Sequence, residues 1–193
     1  MTFNELSEAV YEDLNGRVLS VSSDEKAYRV VFECDDWRDN DRRRRFELIF
    51  EDVPEANATS SECWGFHLVE EHPLLWNHNE ENVSMFFSST PSDPLALLGR
   101  LYEAHTLLVG EWREMSRYWK AGSKLLQLGY GLLAEGPRRI IDEYARVVGD
   151  TLRFSIVHGH NPRGGYRVVF FDECYVVCRN VSVIEHELPP KEL

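Results

Sequence analysis

His158 and His160 stand two residues apart, a spacing that suits shared coordination of one metal ion. On an extended strand, side chains two residues apart lie on one face at about 6.6 Å, and two imidazoles so placed can bind zinc with a third ligand. That ligand would come from Glu70, Glu71, His72 or His78. The alternative is a polar strand end that runs into a turn at residues 161–165, and we favour it because this motif alone is a weak metal signal.

His105 is the second candidate, because it is the polar member of an otherwise apolar stripe. The stripe alternates spacings of three and four residues, which is typical of one face of a packed helix: Leu98, Leu101, His105, Leu108, Trp112, Met115 and Trp119. A histidine in this position is either hydrogen-bonded in the core or a functional group that titrates near neutral pH. In the functional interpretation, helical spacing brings Tyr102 and Trp112 near it. These three residues then form a ligand-binding pocket between the long helix and the sheet.

The cysteines and the known catalytic motifs give no further site. Cys174 and Cys178 would lie about 13 Å apart on an extended strand, too far to share a zinc ion at about 2.3 Å from each sulfur. We interpret them, with Cys34 and Cys63, as structural thiols in a reducing compartment. The sequence has no nucleophile elbow, P-loop, HExxH or kinase signature. We therefore lean against an enzyme and expect no cofactor.

The charge of the chain favours a protein partner over a nucleic acid. Its 193 residues include 33 acidic and 21 basic side chains, a net charge of -12. Such a surface repels phosphate backbones and favours a basic partner, even though four arginines follow one another at residues 42–45. No stretch reaches 18 consecutive apolar residues, so we expect no membrane segment. The acidic start of the chain is unlike a signal peptide, and we expect a cytoplasmic protein.

The elements that would position these residues predict an α+β domain spanning residues 1–193. The letters YRVVF begin at Tyr28 and again at Tyr166, each time inside a group of three strand-like runs. We predict two antiparallel three-stranded β-meanders, at residues 18–54 and 152–189, as copies of an internal repeat; chance enrichment of Val and Phe in strands is the alternative. A helical segment at residues 93–149 lies between the meanders and packs on the sheet.

The spacing of apolar residues and the capping residues predict where the helices begin and end. Residues 3–14 have the spacing of a short amphipathic helix. Asp93 and Pro94 suit an N-cap and a first helical position, and predict a helix from Leu95 that extends to Trp119. We predict short helical turns at residues 124–137 and a second helix from Pro137 to Gly149.

Three classes of function remain open. The first is a small acidic cytosolic interaction protein, an adaptor or an immunity-type inhibitor of a basic protein, with Trp37, Trp64 and Trp76 as surface aromatics. The second is a small-molecule binder with the pocket at His105. The third is a metal-dependent enzyme that uses His158 and His160. Exposed strand edges would also allow a homodimer.

Overall fold

The computed structural model divides the chain into two compact units. The first consists of Met1–Glu71 with Tyr166–Leu193, and the second of His72–Gly165. Antiparallel sheets with packed helices confirm the predicted α+β class; that the whole chain is one domain stays a prediction. The structure describes residues 2–9, 15–25, 27–36, 42–60, 62–63 and 65–188. Within these ranges no helix has the length and apolar character needed to cross a membrane.

Most elements are short, and strands outnumber helices in the described part of the chain. In chain order they are α1 (Phe3–Ala9), β1 (Arg17–Ser23), β2 (Tyr28–Asp36), β3 (Arg42–Glu51), β4 (Glu55–Asn57), β5 (His67–Val69), α2 (Pro73–Asn79), β6 (Asn82–Phe87), α3 (Pro94–Val109), α4 (Ser123–Leu128), β7 (Gly131–Pro137), α5 (Arg138–Val148), β8 (Phe154–His158), β9 (Arg167–Phe171), β10 (Cys174–Cys178) and β11 (Asn180–His186). A 3-10 turn at Met115–Arg117 follows α3.

The first unit contains two four-stranded sheets that share one core. One sheet has the strand order β1-β2-β3-β11 and the other β4-β10-β9-β5. Alternate residues of β2 and β3 point inward, so Phe32 and Phe46 are fully buried. They pack in one cluster with Phe66 and Phe171 and with Phe3 of α1. Burial of a large apolar side chain contributes roughly 1.5–3 kcal/mol, so this cluster stabilises the unit.

The first predicted meander is confirmed, because β1, β2 and β3 pair in sequence. The second does not form as a three-stranded unit. Its first strand, β8, pairs with β6 of the second unit. Strands β9 and β10 form a hairpin, whereas β11 pairs with β3. Arg179 alone separates β10 from β11, which is too short a connection for a hairpin, so β11 joins the other sheet.

The two YRVVF segments lie in different sheets. The first lies in β2, between β1 and β3, and the second runs from Tyr166 into β9, between β5 and β10. Each is therefore an inner strand, and inner strands favour β-branched and aromatic residues. The strand partners of the two segments differ, and the internal repeat stays a prediction.

The second unit has a three-stranded sheet, β7-β6-β8, covered on one face by helices. Asp93 caps α3 as predicted, since its Oδ1 accepts from the N–H groups of Leu95 and Ala96 at 3.0 Å. The predicted extension of α3 to Trp119 is wrong, because the helix ends at Val109. Gly110 follows with φ +64°, a left-handed conformation that favours glycine and ends the helix.

Two further sequence expectations change in this unit. Residues 131–137, expected as helical turns, form strand β7, while α4 accounts for the helical part of that segment. The buried face of α3 also differs from the predicted apolar stripe, since Leu97 is buried and Leu98 is exposed. Helix α5 begins directly after Pro137, as predicted. In the first unit, α1 covers residues 3–9 of the helix expected at 3–14, and residues 10–14 lie outside the described ranges.

Candidate functional site

His105 is buried inside the second unit, with 2% of its surface exposed, and belongs to a network of hydrogen bonds. Its Nε2 is 2.7 Å from the carbonyl oxygen of Arg113, which can only accept, so Nε2–H is the donor. In the neutral ring Nδ1 then accepts from the hydroxyl of Tyr144 at 2.9 Å. The guanidinium of Arg113 donates in turn to the carbonyl of Leu74 at 3.2 Å. Both ring nitrogens are satisfied, as in a structural core histidine.

The other two residues of the predicted pocket, Tyr102 and Trp112, lie outside this hydrogen-bond network. Tyr102 is exposed on α3, and Trp112 is also exposed, with its ring edge-on to His72 at 4.7 Å. His72 begins α2, where its Nδ1 accepts from the N–H of Leu74 at 3.3 Å. Burial, and then the charge of Arg113, lower the pKa of His72 below its ordinary value. The three predicted ligand-binding residues are therefore divided between core and surface.

His158 and His160 lie at the end of β8 and are exposed. His158 Nδ1 is 2.7 Å from Glu81 Oε1, and the carbonyl of His160 accepts from the N–H of Asn82 at 3.0 Å. Among the described residues, no group of three or more histidine, cysteine or acidic side chains is arranged to hold a metal ion. The arrangement is that of the polar strand end that the sequence offered as the alternative.

The cysteines are reduced, and most of them are buried. Burial raises the pKa of three thiols to about 12: Cys34, Cys63 and Cys178. A thiol with so high a pKa carries almost no thiolate at neutral pH and is a poor nucleophile. Cys174 is partly exposed and lies 3.8 Å from the hydroxyl of Thr59.

The four consecutive arginines lie on β3, opposite the acidic end of β2. Glu33, Asp35 and Asp36 face them in the strand register, so the charged segment belongs to the two paired strands. Residues 37–41 lie outside the described ranges. The ion pairs join Arg43 to Asp35, Arg44 to Asp36 and Glu185, and Arg45 to Glu33. This basic run is therefore neutralised by neighbouring carboxylates of its own sheet.

The net charge of the protein belongs to one unit. By sequence, the first unit carries 23 acidic and 11 basic residues, a net -12, whereas the second carries 10 of each. Since the chain as a whole has a net charge of -12, the second unit contributes none of it. The attraction that the net charge of the chain exerts on a cationic partner therefore arises from the first unit.

A cleft of 420 Å³ opens on the first unit between the β1–β2 turn and the segment that follows β3. Tyr28 and Phe50 line it, with their rings edge-to-face at 6.4 Å. Burial, with a smaller effect of Cys174, raises the pKa of Tyr28. The acidic residues that line the cleft are Asp24, Glu25, Asp52 and Glu55. Phe50 is buried behind the partly exposed ring of Tyr28. Carboxylates beside that tyrosine ring can bind a lysine or arginine side chain by charge and by cation–π contact.

Hydrogen bonds or backbone conformation set the positions of three of the four acidic residues of the cleft. In the β1–β2 turn, Asp24 Oδ1 accepts from the N–H of Ala27 at 2.9 Å. After β3, Asp52 adopts φ +52°, a conformation that aspartate tolerates better than most residues. Glu55 accepts from the hydroxyl of Tyr175 at 2.7 Å. The two hydrogen bonds hold the carboxylates of Asp24 and Glu55 at the rim.

Arginines of the same unit reach part of this rim. Arg29 lies 3.4 Å from Asp24, and Arg179 lies 3.7 Å from Asp52. Both carboxylates remain mostly exposed, so a cationic partner can reach them from solvent. Lys26 belongs to the same turn in the sequence and lies outside the described residues.

Sequence reasoning missed these four acidic residues, although their positions just after predicted strands could have indicated them. Each pair follows a strand in a turn-forming segment, Asp24-Glu25 after β1 and Asp52 to Glu55 after β3. Of the three tryptophans expected at the surface, Trp76 is buried, with the Arg139 guanidinium 4.9 Å above its ring, and Trp37 and Trp64 lie outside the described residues. Comparisons with family models, with curated proteins and with solved structures each found no match to this chain.

Proposed function

We propose that this chain is a small cytosolic interaction protein, an adaptor or an immunity-type inhibitor, whose first unit binds a basic protein. The acid-lined cleft at Asp24, Glu25, Asp52 and Glu55 receives a basic side chain of the partner. The remaining negative charge of the unit attracts the partner from a distance. The activity is binding, with no chemical turnover.

The observation that carries this proposal is the separation of charge between the two units. A net charge spread over the whole surface would only favour solubility. Here it is confined to one unit and accompanies a cleft of 420 Å³ with carboxylates at its rim and the partly exposed ring of Tyr28 in its wall. This combination fits a lysine or arginine side chain better than it fits an anion or an apolar ligand.

The two alternatives gain no comparable observation. A small-molecule pocket at His105 would need a cavity beside that ring, whereas both of its nitrogens are used inside the core. A metal-dependent reaction at His158 would need further ligands, whereas the described residues bring one carboxylate, that of Glu81, to its ring.

The test measures binding of a fluorescent oligoarginine peptide to the full chain by anisotropy at increasing salt. In the cleft variant Glu25→Gln with Asp52→Asn, two carboxylates become amides of the same shape, and asparagine tolerates the left-handed φ at position 52. The control variant, Glu103→Gln with Glu111→Gln, removes the same charge from exposed positions of the second unit.

We expect the cleft variant to bind about tenfold more weakly at low salt, since exposed charge pairs contribute up to about 1 kcal/mol each. The control variant should stay within about twofold of the unmodified chain, and salt should weaken all three. Equal affinities of the two variants would contradict the proposal, because net charge alone would then explain binding.

A further inference from the structure

Strand β8 is an open edge of the sheet in the second unit. In the order β7-β6-β8, it pairs with β6, and the described residues place no strand on its other side. The opposite edge differs, because the chain at residues 118–121 covers β7. There Lys120 N–H donates to the carbonyl of Leu133 at 2.9 Å, and Glu135 N–H donates to that of Tyr118 at 3.0 Å.

The pattern of hydrogen bonds between β8 and β6 shows which backbone groups of β8 face away from the sheet. Ser88 N–H donates to the carbonyl of Arg153 at 2.8 Å, just before β8 begins. Inward and outward pairs alternate along an antiparallel ladder, so Ser155 and Val157 direct their N–H and C=O groups to β6. Three residues therefore point these groups away from the sheet: Phe154, Ile156 and His158.

The side chains of β8 lack the protection that edge strands usually have. Natural edges carry lysine, proline or other charged residues that prevent pairing with another chain, whereas β8 reads FSIVH. Val157 is 51% exposed, and Phe86 of the neighbouring strand is 40% exposed. The edge strand β11 of the first unit contrasts with it, since it carries Glu185.

We propose that β8 is a homodimer interface, at which a second copy of this chain pairs its own β8 antiparallel to the first. A two-fold axis at Ile156 places Phe154 opposite His158 of the second copy, and Ser155 opposite Val157. All three outward-facing residues of each strand then meet outward-facing residues, and each such pair exchanges two hydrogen bonds. The two three-stranded sheets become one six-stranded sheet.

Charge favours a second copy of this chain as the occupant. The strand has no carboxylate to attract a basic protein segment, and it brings no like charges into opposition when it pairs with itself. The second unit, which carries it, has equal numbers of acidic and basic residues. The first units of two copies repel each other at long range, so added salt should strengthen this association, whereas it weakens binding of a basic partner. The proposal is thus independent of the cleft.

The test measures the mass of the full chain by sedimentation equilibrium over a range of protein and salt concentrations. Val157→Lys places a charge beside the two-fold axis, and Leu107→Lys is the matched control, because Leu107 is 82% exposed on α3. We expect a dimer for the unmodified chain and the control, and at least about tenfold weaker association for Val157→Lys. Circular dichroism checks that each variant is folded.

Hydrogen exchange of the unmodified chain gives a second readout that needs no variant. The amides of Phe154, Ile156 and His158 should become protected as protein concentration rises, because dimer formation covers them. A chain that stays monomeric throughout, a dimer that Val157→Lys does not weaken, or protection that is independent of protein concentration would each overturn the proposal.

Discussion

The hydrogen bond between Tyr144 and His105 gives a sharp prediction about the core of the second unit. The substitution Tyr144→Phe removes the hydroxyl that donates to Nδ1 at 2.9 Å and leaves the ring volume almost unchanged. The other nitrogen, Nε2, donates to the carbonyl of Arg113, so the ring cannot change tautomer without losing that bond. A buried acceptor is therefore left without a donor.

The expected loss in the free energy of unfolding is about 1–3 kcal/mol, the penalty for a buried polar group left unsatisfied. The matched control is Tyr102→Phe, which removes a phenol hydroxyl from an exposed residue of α3. Its effect should stay within about 0.5 kcal/mol, as is usual for surface changes.

The assay is urea unfolding followed by far-ultraviolet circular dichroism, because α2, α3, α4 and α5 all belong to the second unit. A double-mutant cycle with His105→Leu should show that the two substitutions are not additive, since these residues share one hydrogen bond. The reasoning is refuted if Tyr144→Phe is as stable as Tyr102→Phe, or if the cycle gives no coupling.

Three further predictions use other features. Gly136→Ala places a methyl carbon 2.5 Å from the buried ring of Tyr118 and should lower the free energy of unfolding by about 1–3 kcal/mol in the same urea assay. Its control, Gly99→Ala, meets nothing within 4 Å and should stabilise helix α3 by up to about 1 kcal/mol. Burial and a neighbouring guanidinium lower the pKa of His72, so the unfolded chain binds its proton more readily and the free energy of unfolding should fall as pH drops below about 6.5. His72→Asn keeps an N-cap acceptor and should remove that part of the pH dependence; an unchanged pH profile would be the contrary result. A thiol reagent at neutral pH should label Cys174 alone in the folded chain and all four cysteines in urea; rapid labelling of further thiols without urea would contradict their burial.

Local signals in the sequence identified several elements correctly. Asp93 followed by proline predicted the start of α3, because an N-cap depends only on neighbouring residues. The end of α3 was missed, because Gly110 stops the helix although apolar residues continue beyond it at helical spacing. Strand β7 was missed because its letters, GLLAEGP, carry no alternation of apolar and polar residues.

Long-range partners could not be read from the sequence. Tyr144 lies 39 residues from His105, and nothing in the apolar stripe indicated that this tyrosine would satisfy the ring. The strand pattern likewise shows which residues can pair, and not with which strand. For the same reason, the sequence did not predict that residues at both ends of the chain build one acidic unit, or that the turn at Asp24 and the turn at Asp52 share a cleft.

The most direct test of the proposed function is to locate a bound basic peptide on the surface by NMR. Oligoarginine is titrated into the isotopically labelled full chain, and changes in amide chemical shift are mapped by residue. We predict saturable changes at residues 23–25, 27–28, 50, 52–53 and 55–56, which line the cleft, and their loss at high salt. Changes spread evenly over both units, or centred on the second unit, would contradict binding through the acidic cleft.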